Sequence, residues 1–414
     1  MASSTYKYVN QGFLVEGKVL LNGSDESYDV SDSITDVMIK DAFLENIFQL
    51  VVIDMRLTED MISIMRDNDF RFYLKIYAYR LADSDTTEEA DSKDISVTDV
   101  VFDDIIRIYD QPFIENPSKV EEDSSDSNSD QIEKAIPFLY YRISGIPEND
   151  IEINEGIVNN IYGDCTVGDA AVNMLTSNSN GAQIYIDPIQ NKDTHRNILI
   201  PPMSLSEAMS FLDSQYYIYG SQPMNMYIRN GHIYVYKLLG EHIGGNILQC
   251  DILSYDATVN TEKIGMLMEN EDGDLKVVYR AMPAYIRNKK VVSHEYGSET
   301  IYYTYDDDYN LSIRESGNSE SFKKTRYIWN PNRLKSNEDI ADLSSKMNES
   351  LAITLSGASM GYFTPITTIR LESNRHRDAS GDYALSEASY IFRSSDRKHY
   401  SNTIVLTCIK KKSK

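Results

Sequence analysis

Alternation of apolar and polar residues recurs along the chain and predicts that most of it forms β-strands. In Phe70–Arg80, the apolar residues at positions 72, 74, 76 and 78 share one face, and Arg71, Tyr73 and Lys75 share the other. This period of two is typical of a half-buried strand. The same pattern predicts strands at Phe13–Leu21, Ser33–Ile39, Ile47–Leu57, Phe138–Ile143, Gln183–Asp187, Ile247–Tyr255, Ile264–Met268, Leu275–Tyr279, Ile301–Tyr305, Leu351–Ala358, Pro365–Leu371, Asp382–Arg393 and Asn402–Lys410. Val97–Ile114 fits either a strand pair or a short helix.

The stretch 198–239 begins with a proline stop that leads into an amphipathic helix. Pro201 and Pro202 impose extended geometry, because the proline ring restricts both its own φ and the residue before it. Ser204 is then an N-cap, and Glu207 completes a capping box. The helix region is predicted to end at Gly220 and Pro223. Its apolar face contains Leu205, Ala208, Met209, Leu212 and Tyr216, and its polar side contains Ser206, Ser210, Asp213 and Ser214.

A β-hairpin is predicted directly after this helix. Asn230-Gly231 joins two alternating runs, Met224–Arg229 and His232–Leu238, and this dipeptide favours a type I′ turn with positive φ at both central residues. Ile233 and Val235 point to one face of the hairpin, and Tyr234 and Tyr236 to the other. Such patterns report burial, so the simplest interpretation of the stretch is a packed α+β unit without a chemical site.

A second helix, several turns and two polar tracts further divide the chain. Another helix is predicted at Val167–Thr176, capped by Thr166 or Asp164. Asn22-Gly23 and Arg66–Asp69 are turn signals, the acidic run 269–274 joins two strands as a hairpin turn, and a unit boundary is expected near Gly145–Pro147. Two acidic, serine-rich tracts, Asp83–Asp94 and Glu121–Asp130, contain no core-forming residues and are predicted to be mobile surface loops.

Composition favours a β-rich protein with interfaces and argues against a nucleic-acid-gripping surface. The 414 residues are enough for two or three domains. The 64 acidic and 40 basic residues give a net charge of −24, whereas binding to DNA or RNA needs clustered Lys and Arg. Tyrosine is abundant, with 30 Tyr against 12 Phe and 1 Trp, and it favours strands and half-buried surfaces.

The three cysteines predict free thiols in a reducing compartment. Cys165, Cys250 and Cys408 are odd in number and far apart, which supports neither a zinc site nor a disulfide framework. The first residues contain no apolar signal segment, and no run approaches the ~20 apolar residues of a membrane span. We therefore expect no membrane insertion and synthesis in a cytoplasm.

No motif in the sequence predicts a nucleotide site or a catalytic histidine. Gly12–Val19 comes close to a phosphate-binding loop, but Val19 stands where Ser or Thr must hold magnesium, and a strand is the better interpretation. The six histidines show no metal-binding spacing, and no nucleophile elbow occurs. His376 lies among charged residues, where a polar turn is a simpler interpretation than catalysis or phosphate binding.

The acidic turns do not predict a metal site either. Asp306–Asp308 and the 269–274 turn are acidic enough for weak calcium binding, but neither has the twelve-residue loop spacing with its glycine and closing glutamate. Carboxylate pairs are too frequent in this chain to nominate a glycosidase. The sequence therefore predicts no catalytic, cofactor-binding or metal-ligating residue and no cofactor.

Two regions carry a resemblance to a known family. ILIPPMSLSEAMSFLDSQYYIYG from Ile198, followed by HIYVY from His232, resembles the baseplate hub (tail hub) proteins of contractile-tailed bacteriophages, the T4-like hub family. The C-terminal strings LAITLSG, TPITTIRL, GDYALSEASYIF and TIVLTCIK resemble the last strands of that family's tube-type barrel. Over the first 150 residues the resemblance is limited to strand-rich character.

The resemblance implies a mainly β fold with α+β elements, in which two tube-type β-barrels accompany a smaller helix-containing domain. It implies a homotrimeric, pseudo-sixfold ring in the virion's tail baseplate, assembled in the host cytoplasm, that joins the tail tube to the central spike. The implied partners are the central spike protein, tail tube or tube-initiator proteins, baseplate wedge proteins and the tape measure protein. DNA would pass the lumen without specific binding, which an acidic surface favours.

The expected division is an N-terminal barrel with acidic insertions at 1–147, a helix–hairpin segment at 148–240, an inserted β-rich domain at 241–345 and the last barrel strands at 346–414. Two other functions stay open. One is another tail component, such as a tube-capping adaptor or wedge protein, which a hexameric ring would favour. The other is a cell-wall hydrolase, which would need two carboxyls roughly 5–9.5 Å apart in a cleft.

Overall fold

A computed structural model describes residues 6–44, 46–80, 97–109, 113–115, 139–220, 224–237, 240–252, 264–279, 282–287, 302–305, 311–314, 322–323, 349–373, 377–395 and 399–411. The acidic tracts 83–94 and 121–130, His294, His376 and Asp306–Asp308 lie outside these residues. Within the described part, no helix is long and apolar enough to cross a membrane.

Strands dominate the structure, which confirms the predicted fold class. The helices are α1 (Glu59–Asp67), α2 (Glu148–Glu155), α3 (Val167–Asn178) and α4 (Leu205–Tyr216). The strands before α3 are β1 (Lys7–Tyr8), β2 (Gln11–Leu21), β3 (Ser27–Asp29), β4 (Ile34–Asp41), β5 (Leu50–Leu57), β6 (Phe70–Arg80), β7 (Val97–Ile108), β8 (Phe113–Glu115), β9 (Leu139–Pro147) and β10 (Val158–Thr166). Those after it are β11 (Gln183–Ile186), β12 (Thr194–Met203), β13 (Met224–Arg229), β14 (His232–Lys237), β15 (Ile247–Ile252), β16 (Met266–Glu269), β17 (Leu275–Tyr279), β18 (Ala284–Arg287), β19 (Tyr302–Tyr305), β20 (Leu311–Arg314), β21 (Phe322–Lys323), β22 (Glu349–Ser356), β23 (Thr368–Leu371), β24 (Gly381–Ser394) and β25 (His399–Lys410).

Strand pairing closes a first barrel from both ends of the chain. Its hydrogen-bonded neighbours follow the order β2–β6–β7–β9–β5–β4–β24–β25 and return to β2. The closing contact is short, with Phe13 opposite Tyr400 and Leu14 opposite His399. The Tyr79 hydroxyl supports it, 2.9 Å from Nδ1 of His399. Closure matters because it removes the exposed strand edges that would otherwise pair with other chains.

A second cycle of strands follows the order β22–β25–β24–β23–β15–β17–β16, and β18 adds to the edge of β22. A bridge between Gly265 and Leu355 closes it. At this seam the Gly265 amide donates to the Thr354 carbonyl at 2.7 Å, and the Tyr279 hydroxyl donates to the same carbonyl at 2.8 Å. A tyrosine side chain thus takes part in the second closure.

The hairpin β24–β25 belongs to both barrels. Residues 381–384 pair with β23 of the second barrel, while residues 388–393 pair with β4 of the first. The change occurs at a β-bulge, where Ser386 is the extra residue between Leu385 and Glu387. Bulges bend a strand and increase its twist, which re-aims the hairpin from one barrel to the other. One continuous apolar core runs through both barrels.

The helix-bearing middle unit, residues 148–237, has its own core. It contains α2, α3 and α4, a ribbon of β10 and β12, and a sheet in the order β11–β14–β13, with β11 parallel to β14. The helices start as their sequences predict: Thr166 forms a capping box with Asp169, and Ser204 forms one with Glu207. Pro201 and Pro202 lie in the extended strand β12.

Several details of the sequence prediction were wrong. The turn predicted at Arg66–Asp69 includes the end of α1, and neither α1 nor α2 was predicted. Helix α4 ends at Tyr216, before Gly220, because Tyr217 itself adopts the left-handed conformation with φ 52°. Ser206 and Asp213, assigned to the polar side of α4, are buried. The four-segment domain division stays a prediction.

Candidate functional site

Hairpin β13–β14 lies between the two hydrophobic cores. Along each strand, side chains alternate between the core of the middle unit and the core of the barrels. Ile228, Ile233 and Val235 are buried in the core of the middle unit. Tyr227 and Tyr236 are buried in the core of the barrels. Both faces of the hairpin are therefore apolar, and each packs against a different core. The turn is as predicted, with φ of 50° at Asn230 and 71° at Gly231.

A buried ion pair crosses from this hairpin to the first barrel. Arg229 lies 3.0 Å from Oδ2 of Asp41 at the end of β4, and the Tyr227 hydroxyl donates to Oδ1 at 2.7 Å. Arg229 also donates to the carbonyls of Phe363 at 2.6 Å and Met360 at 3.1 Å. Burial raises the pKa of Asp41, and the charge of Arg229 and the Tyr227 hydrogen bond oppose that shift.

A second carboxyl lies under the hairpin turn. Oδ1 of Asp150, in the first turn of α2, accepts from the Gly231 amide at 3.3 Å. Burial raises the pKa of Asp150 to about 7, although backbone hydrogen bonding from Gly231 and Asn230 works in the other direction. Asp104, on β7, accepts from the Ile105 amide at 2.7 Å. Burial raises the pKa of Asp104 to about 6, and the negative charge of Glu148 on α2 also disfavours its ionisation.

A third carboxyl holds the far end of the hairpin. Asp187, just after β11, accepts from the Lys237 amide at 3.0 Å and from the Tyr185 hydroxyl at 2.7 Å. Its Oδ2 also lies 2.9 Å from Nδ1 of His242. Burial raises the pKa of Asp187, but these hydrogen bonds, led by that from His242, outweigh it and leave the pKa below its usual value.

Lys411 extends this cluster to the second barrel. Its ammonium group donates to the Gly240 carbonyl at 3.0 Å and to Oγ1 of Thr368, on β23, at 2.7 Å. Burial lowers the pKa of Lys411 to about 8, although nearby Asp382 and Asp187 favour its charged form. Burial also lowers the pKa of His242, although its hydrogen bond to Asp187 works in the other direction. His242 binds Asp187 of the middle unit, and Lys411, directly after β25, binds the nearby Gly240 carbonyl. This segment therefore links the middle unit to the end of β25.

Together, Asp41, Asp150 and Asp187 form what we call the hairpin anchor. All three are at most 1% exposed, and each binds a backbone amide or side chain of the hairpin. The His242 side chain is 1% exposed and hydrogen-bonded to Asp187, so it cannot meet a substrate from solvent. The arrangement can fix the hairpin against its surroundings, and it offers no accessible nucleophile or acid–base pair.

A shallow groove of about 550 Å³ lies beside α3, lined on the other side by residues 186–192. Three of its polar residues serve local structure: Thr166 and Asp169 cap α3, and Asn191 binds the Tyr216 carbonyl. Val172, Pro188 and Ile189 supply much of the apolar lining. The groove therefore presents no cluster of reactive groups.

The structure does not place the residues considered for nucleotide or metal binding in a common site. Gly12–Val19 lies within strand β2, as its alternation predicted. The 269–274 turn is organised by Asn270, whose Oδ1 accepts from the amides of Asp272 at 3.0 Å and Asp274 at 2.7 Å. Among the residues that the structure describes, no group of three or more His, Cys, Asp or Glu side chains could hold a metal ion.

The anchor residues were not predicted from the sequence, although one of them had a signal. Asp41 continues the buried positions Val37 and Ile39 of β4 at the same period, so a charge at that position predicts a buried partner. Asp187 and Asp150 carry no such signal, since one follows a short strand and the other starts an acidic helix.

A family model matches this chain over residues 4–253, and its description is Bacteriophage PBS1 gene 109 protein. No curated protein sequence matches the chain.

Among solved structures, similarity extends over nearly the whole chain at low identity. A tail protein from Neisseria meningitidis MC58 is 11% identical, with 96% of this chain and 97% of that one covered and a TM-score of 0.47. The 43 kDa tail protein of prophage MuSo2 from Shewanella oneidensis is 10% identical, with 95% and 98% covered and a TM-score of 0.46. The E. coli c3393 protein, a component of the type VI secretion system, is 9% identical, with 96% and 77% covered and a TM-score of 0.43.

Proposed function

The chain belongs to the Bacteriophage PBS1 gene 109 protein family, and from this premise we propose that it is a structural protein of the phage tail, the central hub of the baseplate. In this role it joins the tail tube to the central spike. Its place is the virion, and its assembly takes place in the host cytoplasm.

The observation that carries the proposal is the pair of closed barrels within one chain. The barrels share the hairpin β24–β25 and one apolar core, so they are fixed relative to each other. Three such chains in a ring would present six barrels. A ring of this kind matches sixfold symmetry on one side and threefold symmetry on the other, which is the task of an adaptor between a tube and a spike.

The hairpin anchor supports a role in geometry rather than in chemistry. Its three carboxyl groups are buried and hold hairpin β13–β14 between the two cores. A subunit that transmits force benefits from rigid joints between its units. We therefore assign no catalytic step, cofactor or metal to this chain.

The partners follow from the position of a hub. Besides two further copies of itself, it would contact the central spike protein, tail tube or tube-initiator proteins, wedge proteins and the tape measure protein. DNA would pass through the ring without specific binding. The net charge of −24 supports that passage, because an acidic wall repels the phosphate backbone.

The test is the mass of the purified full-length protein, followed by images of the particle. Three chains of 47.2 kDa give about 142 kDa, and a ring with six density lobes around its lumen is expected. A hexamer would favour a tube-capping adaptor instead. A protein that stays monomeric at high concentration, alone and with a spike protein present, would contradict the ring.

A further inference from the structure

Asp150 is the member of the hairpin anchor that lacks a counter-charge. Its side chain is fully buried, and Oδ1 accepts from the Gly231 amide at 3.3 Å. Oδ2 has no hydrogen-bond partner among the described residues. Asp41, by contrast, is paired with Arg229, and Asp187 accepts three hydrogen bonds.

The charged groups around Asp150 offer no compensation. The carboxyls of Asp104 on β7 and Asp41 on β4 both disfavour its negative charge. The nearby cations are engaged elsewhere: Arg229 by Asp41, and Arg71 and Arg107 by Glu148 on the same helix as Asp150. Glu155, at the end of that helix, takes a second bond from Arg107 at 2.9 Å.

An ionised carboxylate in such a place is costly, whereas a protonated carboxyl is tolerated. Removing an unpaired charge from water is strongly unfavourable, and the group responds by holding its proton. If the hairpin turn separates from α2, water reaches Asp150 and the penalty disappears. Ionisation therefore favours the separated arrangement.

We propose that a proton held on Asp150 docks the turn of hairpin β13–β14 onto α2, and that loss of this proton loosens the turn from α2 within the middle unit. The device uses only residues within one chain, so it is independent of the ring. The raised pKa of Asp150, about 7, supports it. Since the folded pKa lies above the unfolded value of 3.8, docking is strongest below about pH 4 and weakens as the pH rises through 7.

Hydrogen exchange of the full-length protein at pH 5.5 and 8.5 tests the proposal. After correction for the intrinsic exchange rate, protection of the amides in 224–237 should fall roughly 30-fold between the two values, which is the linkage expected for a carboxyl displaced from 3.8 to about 7. Most of the fall should occur below pH 7, and the profile should level off above it.

Two variants distinguish the effect of Asp150 on the pH dependence from that of other acidic residues. Asp150→Asn keeps the shape without the charge, and its protection should change less than about threefold over the same range. Glu152→Gln, at an exposed position of the same helix, should behave as the wild type. A wild-type profile without pH dependence would overturn the proposal even if Asp150→Asn failed to fold. So would an Asp150→Asn profile that falls as steeply as the wild type.

Discussion

Arg229 is the residue whose loss should cost most, because it leaves Asp41 as an unpaired charge in the core. Removing one partner of a buried ion pair costs about 3–5 kcal/mol. We expect Arg229→Leu to lower the free energy of unfolding by that amount, as measured by urea denaturation at pH 7. Arg393→Leu removes an exposed ion pair with Asp36, at 3.6 Å, and should cost less than about 1 kcal/mol.

A double variant distinguishes the ion pair from simple packing. Asp41→Asn combined with Arg229→Leu removes both charges, so it should be more stable than Arg229→Leu alone. Equal stability of the two variants would show that the charge on Asp41 is not the source of the cost.

At this scale the sequence predicts local chemistry well and long-range partners poorly. The capping boxes at Thr166 and Ser204 and the Asn230-Gly231 turn need only neighbouring residues, and all three are confirmed. Asp41 and Arg229 are 188 positions apart, and nothing local to either residue identifies the other. Asp150 was likewise not predicted, because burial without a partner has no sequence pattern.

Among the elements, α4 offers a direct test of the predicted helix face. Leu212 is fully buried between the helices and strands of the middle unit, whereas Ser210 is exposed on the same helix. Leu212→Asp places an unpaired charge in that core and should unfold or precipitate the protein. Ser210→Asp should keep wild-type solubility and melting temperature. A soluble Leu212→Asp protein with unchanged melting temperature would contradict the helix packing.

The bulge in β24 makes a second test at the element scale. Deleting Ser386 would leave both halves of the strand in register with β25, because Glu387 opposite Thr407 would directly follow Leu385 opposite Cys408, but it would remove the bend that directs the strand from one barrel to the other. We therefore expect loss of soluble protein on expression. Ser386→Ala is the matched control and should be tolerated, because it keeps the extra residue and loses only the hydrogen bond from the Ser386 hydroxyl to the Thr407 carbonyl at 2.9 Å. Normal yield of the Ser386 deletion would show that the bulge is dispensable.

The elements themselves were largely predictable where they alternate, and less so where they are short. Most strands of both barrels follow period-two patterns and were predicted, whereas β7 lies in a stretch that fitted either a strand pair or a short helix, and β18 was not predicted. Helix α1 has nine residues and α2 eight, too few for a clear helical period. Helix α2 also begins after Pro147 without a side-chain cap, so its sequence gives no start signal.

The architecture of the whole molecule exceeds what strand patterns determine. The pattern predicted barrel-like strands at the C-terminus, but a strand's periodicity does not name its neighbours. The sequence pattern therefore could not predict that β24–β25 is shared between two barrels. The resemblance to phage proteins is confirmed by the family match, which includes the stretch 198–239 on which it was partly based.

The charge of the whole chain predicts how its assembly responds to salt. With a net charge of −24 per chain, copies repel one another, and added salt screens that repulsion. We expect the apparent dissociation constant of the homo-oligomer to tighten as sodium chloride rises from about 20 to 200 mM. Sedimentation velocity at several protein concentrations measures it. Weaker association at higher salt would indicate that opposite charges dominate the interface.

Because the shared hairpin comes last in the chain, the first barrel can close only at the end of protein synthesis. Strand β2 finds its closing partner only when Tyr400 has been made, because Phe13 lies opposite that residue. A ribosome adds about 5–20 residues per second, so β2 waits about 20–80 s with an open edge. During that interval neighbouring nascent chains on the same messenger RNA can pair with it. Codons that slow translation of the last strands would therefore lower the yield of folded protein, although they change no residue.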